Sequence, residues 1–294
     1  MTAKPRIVAE IGTAHRGDIE RAADLIHAAK ESGADTAKFQ MVRADEILHP
    51  RAGLVTLPAG HVPLFERFRE LERDEEFFSR LIEICDNVGI RFLCTPFGVE
   101  TVAEIKIASP ELNHLPLLQE VSSYRKSLIL SAGVASLADI AESVAAVGAG
   151  VPVTILHCIT AYPAPEEEYN LRVIPAMAEI FGLPVGISDH SLDPVLVPAL
   201  ATLLRASMIE KHITLSRSDS GLDDAIALEP GAFAEMVTRV REIAAKLDAA
   251  GRINPVETRR VEVELESQLK EEHGSSRVAK VLGTGVKGLA PSEQ

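Results

Sequence analysis

Eight short apolar runs of β type recur along the chain, most of them followed by a stretch of helical spacing, and no other feature constrains the fold as tightly. The runs are residues 7–12, 36–42, 91–96, 105–109, 127–133, 153–159, 185–190 and 208–215. Most are continuously apolar up to a polar C-terminal end, the pattern of parallel strands covered on both faces. Between the first two, residues 18–31 set Ile19, Ala22, Ala23, Ile26 and Ala29 at helical spacing, with Asp18 as N-cap and Gly33 just past the end. Ser136 and Asp139 open a helix over 136–147 with an N-cap signature, and 231–250 is a long amphipathic stretch closed by Gly251. Repeated βα units with eight strands in about 250 residues predict an α/β protein of the (β/α)8 TIM-barrel class. An open doubly wound sheet is the runner-up, weakened because Gly12-x-x-x-x-Gly17 lacks the G-x-G-x-x-G spacing.

Two regions interrupt the rhythm. Residues 44–76 form an insertion after the second strand, with a charged helical piece at 64–73. An insertion there lies on the catalytic face of a barrel and can cover its site. Residues 252–294 form a tail, with a charged helix-like segment at 256–272 and a Gly-rich, linker-like ending from Val281. The expected division is therefore a barrel over 1–251 and a helical tail over 252–294.

Composition narrows the function. With 30 Lys+Arg against 43 Asp+Glu the net charge is −13, which argues against nucleic acid or an anionic membrane surface as a partner. The longest apolar run, 195–204, is too short to span a bilayer and contains Pro198. The first residues run straight into a strand with no signal-peptide core. Cys85, Cys94 and Cys158 form no C-x-x-C pair, so a reducing cytoplasm is expected, and Cys94 and Cys158, near strand ends with no base positioned beside them, read as buried, inert thiols.

In a barrel the chemistry comes from the C-terminal ends of the strands. Those ends carry Glu10 (with His15 beyond it), Lys38 and Gln40, Thr95, Lys106 with Ser109 and Glu111, Ser131, His157, Ser188-Asp189-His190 and Glu210-Lys211-His212. His190 and His212 end adjacent strands, so their imidazoles can converge on a borderline divalent ion such as Mn²⁺, Co²⁺ or Zn²⁺, or stand as two hydrogen-bonded core histidines. Asp189 either orients a ligand ring or caps the next helix, and His157 reads as a buried hydrogen-bonding histidine. Lys38 and Lys106 sit inside apolar strands, where a lysine needs an anionic ligand or a carboxylate partner, Glu10 or Glu210. With Thr95, Ser109 and Ser188 they make a site for phosphate or carboxylate. Lys211 alternates with His212, so it faces the outer side of the barrel.

Eight blocks, in order, resemble the N-acetylneuraminate (sialic acid, nonulosonic acid) synthase family over residues 6–250. They are Ile7-Val-Ala-Glu-Ile-Gly12, Lys38-Phe-Gln40, Cys94-Thr-Pro-Phe97, Lys106-Ile-Ala-Ser109, Leu130-Ser-Ala-Gly133, His157-Cys-x-x-x-Tyr-Pro163, Gly186-x-Ser-Asp-His190 and Ile209-Glu-Lys-His212. The resemblance implies a barrel that condenses phosphoenolpyruvate (PEP) with an N-acetylmannosamine-type aldose, giving a 3-deoxy-2-keto sugar acid and phosphate. It implies His190 and His212 as ligands of a divalent metal, Mn²⁺ first, with Co²⁺, Mg²⁺ or Zn²⁺ as alternatives. It implies Lys38, Thr95, Lys106, Ser109 and Ser188 as residues that hold PEP. Gln40 and Tyr162 follow as substrate contacts, and Glu10, Glu111, Glu210 and Asp223 as catalytic carboxylates near metal, PEP or sugar. A homodimer is implied as well, for which Val261, Leu265 and Leu269 form an apolar stripe that can instead pack on the chain's own barrel.

Three departures bear on the acceptor. After strand one the family's Asn-His-Asn-Gly or Asn-His-Glu-Gly is here Ala14-His15-Arg16-Gly17, and after strand eight its Gly-Pro-Asp-His is here Gly221-Leu-Asp-Asp224. The chain also stops where the family's antifreeze-like cap domain starts, so the expected architecture has no cap. A PEP-dependent synthase of the 3-deoxy-octulosonate phosphate type, using Arg16, Arg43 or Arg217 for an acceptor phosphate, is the alternative within enzymes. A catalytically silent barrel used for binding or assembly is the alternative outside them.

Overall fold

The computed structural model describes residues 4–47, 49–51, 53–57, 60–95 and 104–285, without the side chains of 55–57 and 60–62. Pro96 and Phe97 of one sequence block, and the ending 286–294, lie outside the described residues.

Eight parallel strands close into a barrel in chain order: β1 (Arg6–Gly12), β2 (Thr36–Gln40), β5 (Arg91–Thr95), β6 (Glu104–Ile107), β7 (Ser127–Ser131), β8 (Val153–Cys158), β9 (Val185–Asp189) and β10 (Met208–His212), with β10 returning to β1. The chain is a (β/α)8 TIM barrel, and all eight runs read from the sequence are its strands. Val8, Leu93, Ile129, Leu156 and Met208 form a small buried cluster apart from the main core, which is the packed floor inside the barrel. The opposite strand faces, with Ile7, Ala9, Ile155, Ile187 and Ile209 among them, join the larger core shared with the helices. Gly186 lets the inner wall close: a Cβ there would stand 2.6 Å from the Met208 carbonyl oxygen and 2.8 Å from the Leu156 side chain.

Local signals set the helices. In α1 (Ile19–Glu31), Asp18 is the N-cap and accepts from the Glu20 and Arg21 backbone N–H groups. In α6 (Leu137–Val147), Ser136 and Asp139 form a reciprocal capping box. The insertion folds as α2 (Ala44–Ile47), an antiparallel hairpin of β3 (Leu54–Leu57) and β4 (Gly60–Pro63), and α3 (Leu64–Leu71). Helix α4 (Glu75–Val88) then returns to the barrel wall.

The tail is folded onto the barrel. Helix α9 (Pro230–Gly251) is followed by α10 (Pro255–His273) and α11 (Ser275–Leu282). Helix α10 packs on α9 and on α8 (Leu196–Leu203), and Leu265, Leu269, Val278, Val281 and Leu282 are buried in the common core. This explains the 195–204 run: every residue of α8 is buried, because the tail covers the side that the barrel leaves open. The Leu265 and Leu269 stripe thus packs on its own barrel. Val281 and Leu282, read as the start of a linker, are the last helical turn, and their carbonyls accept from the Leu171 and Arg172 N–H groups at 3.0 Å. Leu269→Ala is expected to cost about 2–5 kcal/mol in urea unfolding, the range for an emptied core site. A loss below about 1 kcal/mol would mean that the tail does not contribute to the barrel's stability. Among the described residues no helix is long and apolar enough to cross a membrane.

Candidate active site

Strand alternation builds the site directly on the floor of the barrel. Two residues beyond Val8, Leu93, Ile129, Leu156 and Met208 stand Glu10, Thr95, Ser131, Cys158 and Glu210, on the same inner face but nearer the C-terminal rim. All five line one cavity of about 630 Å³, together with Lys38, Gln40, Lys106, Ser109, Glu111, Tyr162, Ser188, His190 and His212. Twelve of the thirteen site residues read from the sequence therefore meet at one mouth. The thirteenth, Asp223, comes from the loop after β10. Its Oδ2 lies with Glu10 Oε1 and the Gln40 amide around Gly12, each within 4 Å of where a Cβ there would sit.

The centre is a buried quartet of two lysines and two carboxylates. Lys106 Nζ donates to Glu210 Oε1 at 2.6 Å, and Ser188 Oγ donates to the same oxygen at 2.7 Å. Lys38 Nζ pairs with Glu10 and lies 3.7 Å from Glu210 Oε2. Strand register sets two of these contacts, since Glu10 faces Lys38 across β1–β2 and Ser188 faces Glu210 across β9–β10, and the lysines reach Glu210 across the barrel interior. Both readings of the lysines hold together: each has a carboxylate, and each lines an open mouth. Burial pushes Lys38 down to about 7, although the Glu210 charge opposes this. Burial also pushes Glu210 up, but the Lys106 and Lys38 ammoniums outweigh it and hold the carboxyl well below its usual range. Burial raises Glu111, and burial with the Asp224 charge pushes Asp223 up to about 6.

The histidines converge opposite the lysines. The His190 and His212 rings lie 5.6 Å apart, and the Tyr162 ring stacks on His190 at 4.3 Å. His190 Nδ1 is 3.0 Å from the Ile159 carbonyl oxygen, which only accepts, so Nδ1 carries the proton and Nε2 keeps a lone pair. Burial lowers both imidazoles, His212 furthest because His190 and Lys38 add to the effect, so both are neutral near pH 7. Neutral imidazoles with free lone pairs are metal donors. Glu10 faces His212 in register, and its Oε1 is buried without a hydrogen-bond partner. This donor set fits a divalent ion held by His190 and His212 with water completing the shell. Among the described residues no group of three or more His, Cys, Asp or Glu side chains is arranged as a metal cluster.

Other residues fall elsewhere. Asp189 makes no hydrogen bond to an imidazole ring and does not cap α8: it faces outward, pairs with Lys211 at 2.7 Å and accepts from Tyr169 and the Ser191 N–H. Just ahead of α8 it is Asp193 whose carboxylate accepts from the Val195 and Leu196 N–H groups. Lys211 is thus on the outer face, as alternation requires. His157 is a hydrogen-bonding histidine, its Nε2 2.6 Å from the Tyr169 carbonyl. His15 is packed between Phe39 and Phe77, and its Nδ1 accepts from the Gly17 N–H. Arg16 pairs with Asp219 and Asp224, and Arg217 donates to the Ala225 carbonyl, so both are occupied in holding the loop after β10. Arg43 lies in a separate surface hollow with Glu72, Arg73 and Asp74. All three cysteines are buried, and burial pushes Cys94 up to about 12.

Sequence reading missed several lining residues. Cys158 borders the cavity, with its Sγ 3.2 Å from Ser109 Oγ, and alternation from Leu156 would have placed it there. Ser131, read from the sequence as a strand-end residue without a role, also lines the cavity, its Oγ buried without a partner. Ile47, Leu64 and Phe68 add an apolar wall from the insertion, where its place after the second strand put it, and Met41 and Val42 join them from just beyond β2; no local signal singled out these residues. Gly133 is required where this wall of the site is tightest, since a Cβ there would collide with Cys158 and Thr160.

Comparison with known proteins places the chain in a family. The NeuB family model matches residues 25–251. The spore coat polysaccharide biosynthesis protein SpsE of Bacillus subtilis is 37% identical over 253 residues, covering 82% of this chain and 68% of that protein. The N,N'-diacetyllegionaminic acid synthase of Legionella pneumophila is 34% identical over 254 residues, covering 80% and 71%. The crystal structure of N-acetylneuraminic acid synthetase from Leptospira borgpetersenii, in complex with citrate, superposes with a TM-score of 0.78 at 29% identity, covering 92% of this chain and 93% of that one. The chain belongs to the NeuB family.

Proposed function

We propose that this chain condenses PEP with an N-acetylmannosamine-type aldose, releasing phosphate and a 3-deoxy-2-keto sugar acid. The observation that carries the reading is one barrel mouth holding two buried lysines on one side and two neutral histidines on the other. Relatives bear names in keeping with it, among them the N,N'-diacetyllegionaminic acid synthases of Legionella pneumophila and Campylobacter jejuni and a pseudaminic acid synthase of Helicobacter pylori.

Lys38, Lys106, Ser109, Ser188 and Thr95 hold the phosphate and carboxylate, which fixes enolpyruvate C3 near the aldehyde carbon. A divalent ion on His190 and His212, when bound, supplies Lewis-acid polarisation of the aldehyde oxygen. C3 attacks the carbonyl carbon as the C=O π pair moves onto oxygen, positive character at C2 is balanced by Glu210, and water adds at C2, one of its protons going to the new alkoxide. The C2–O bond then breaks, phosphate leaves with the bridging oxygen, and the remaining hydroxyl proton is lost to phosphate or solvent as the C2 ketone forms. Gln40, Tyr162, Glu10, Glu111 and Asp223 contact sugar or the reacting groups. The same reading takes Mn²⁺ as the ion, a homodimer as the assembly and the cytoplasm as the location. Arg16 and Arg217 are already engaged by protein groups, which disfavours a phosphorylated acceptor.

The test is phosphate release from PEP with Mn²⁺ across a panel of aldoses: N-acetylmannosamine, 2,4-diacetamido-6-deoxy relatives, arabinose 5-phosphate and plain hexoses. Release that needs one acetamido sugar and stops with chelator is expected; release with arabinose 5-phosphate alone would move the assignment to the octulosonate class. A pH profile adds a second check. Asp223 loses its charge below about 6, so kcat/KM is expected to fall below that pH and to lose this limb in Asp223→Asn. An unchanged acid limb in the variant would remove Asp223 from the chemistry.

A further inference from the structure

Behind His190, on the outer face of the barrel, lies a buried chain of hydrogen bonds that the proposed reaction does not use. Tyr169 is fully buried and sits just before α7 (Val173–Phe181). Its hydroxyl donates to Asp189 Oδ1 at 2.7 Å and accepts from the His190 backbone N–H at 2.8 Å. Asp189 Oδ1 also accepts from the Ser191 N–H at 2.8 Å, and its Oδ2 accepts from Lys211 Nζ at 2.7 Å. Lys211 Nζ reaches the Ser191 carbonyl at 2.6 Å. A carboxylate paired to an ammonium is an acceptor only, so the tyrosine proton must point at Asp189 and a hydroxyl lone pair must face His190. Residues 189, 190 and 191 are each held from behind, while His190 Nδ1 is fixed in front by the Ile159 carbonyl.

We propose that Tyr169 is a positioning residue for His190: its hydroxyl sets the His190 backbone, and through it the direction of the Nε2 lone pair and the affinity for the divalent ion. This rests on the reading that His190 is a metal ligand. The tyrosine touches neither cavity nor substrate. It acts through one backbone N–H, which a phenylalanine would leave buried and unpaired while keeping the ring's packing.

The experiment titrates Mn²⁺ into metal-free wild type, Tyr169→Phe and Asp189→Asn, with the visible spectrum of the Co²⁺ form as a second readout and thermal unfolding of each apo protein. Groups that orient a metal ligand typically change affinity by about 10–100-fold, and a loss in that range is expected in both variants, with an altered Co²⁺ spectrum. KM for PEP is expected to stay within about twofold at saturating metal, because PEP is assigned to the lysine side. Leu171→Ala is the control: it empties a core site next to Tyr169, so it should lower stability without changing metal affinity. Unchanged Mn²⁺ affinity in Tyr169→Phe overturns the proposal, as does an equal loss in Leu171→Ala or a Tyr169→Phe protein that does not fold. Wild type that binds no metal, or His190→Ala that binds it normally, overturns the underlying site reading instead.

Discussion

Alanine at both His190 and His212 is expected to abolish divalent-metal binding and to lower turnover by roughly 10³-fold, while the barrel stays folded. The magnitude follows from removing a preorganised electrostatic centre aimed at a developing oxyanion, which costs about 10²–10³ for one donor and more for a metal. Folding is expected to survive because both rings border the open cavity and neither is a charged partner in the buried quartet. Equilibrium dialysis against Mn²⁺ with a turnover assay checks the claim. A double variant that keeps its metal would transfer the ion to other residues, and one that loses metal but keeps turnover would separate the ion from the chemistry.

Glu210→Ala is expected to lower stability by about 3–5 kcal/mol, the cost of breaking a buried pair by removing one partner, besides the turnover lost with the carboxylate that balances C2. Glu210 neutralises Lys106 at 2.6 Å, lies 3.7 Å from Lys38 and accepts the Ser188 hydroxyl, so one substitution leaves two ammoniums and a hydroxyl uncompensated. The sign of the pH dependence follows from Lys38. Its folded value, about 7, lies below the ordinary 10.5, so between these pH values the unfolded chain binds the extra proton and stability rises with pH. Below about 7 the penalty is present in full. Removing Glu210 pushes the lysine lower still, so the deficit of the variant should be largest near pH 6 and shrink toward pH 10. Urea unfolding at both pH values measures it; a deficit that grows with pH would show that Glu210 does not neutralise these lysines.

What the sequence discloses here follows from alternation and strand direction. Lys38 and Lys106 stand out because an apolar parallel strand has no other reason to carry a lysine, and Lys211 is separable from His212 because neighbours on a strand face opposite ways. The same rule would have placed Cys158 at the site beside Ser131, had it been counted from the barrel floor. Asp189 was less legible: its neighbours Lys211 and Tyr169 are 22 and 20 residues away along the chain, and only the pairing of β9 with β10 and the packing of residue 169 behind them bring them together. The place of the wall from α2 and α3 was legible, because an insertion after a strand lies over the mouth, but its residues were not, since Ile47, Leu64 and Phe68 read as ordinary amphipathic-helix residues. The tail was half legible. Its helix is evident in the sequence, but burial of Leu265 and Leu269 depends on α8 being apolar all round.

The measurement that meets the central claim most directly follows carbon rather than phosphate. PEP labelled with carbon-13 at C3, incubated with the enzyme, Mn²⁺ and the acceptor sugar that supports phosphate release, should give a product whose labelled methylene is bonded to the former aldehyde carbon. Proton–carbon NMR of the reaction mixture would show that bond. Label appearing instead in the methyl group of pyruvate would mean that the lysines and histidines at this barrel mouth cleave PEP without condensing it, and would contradict the synthase account.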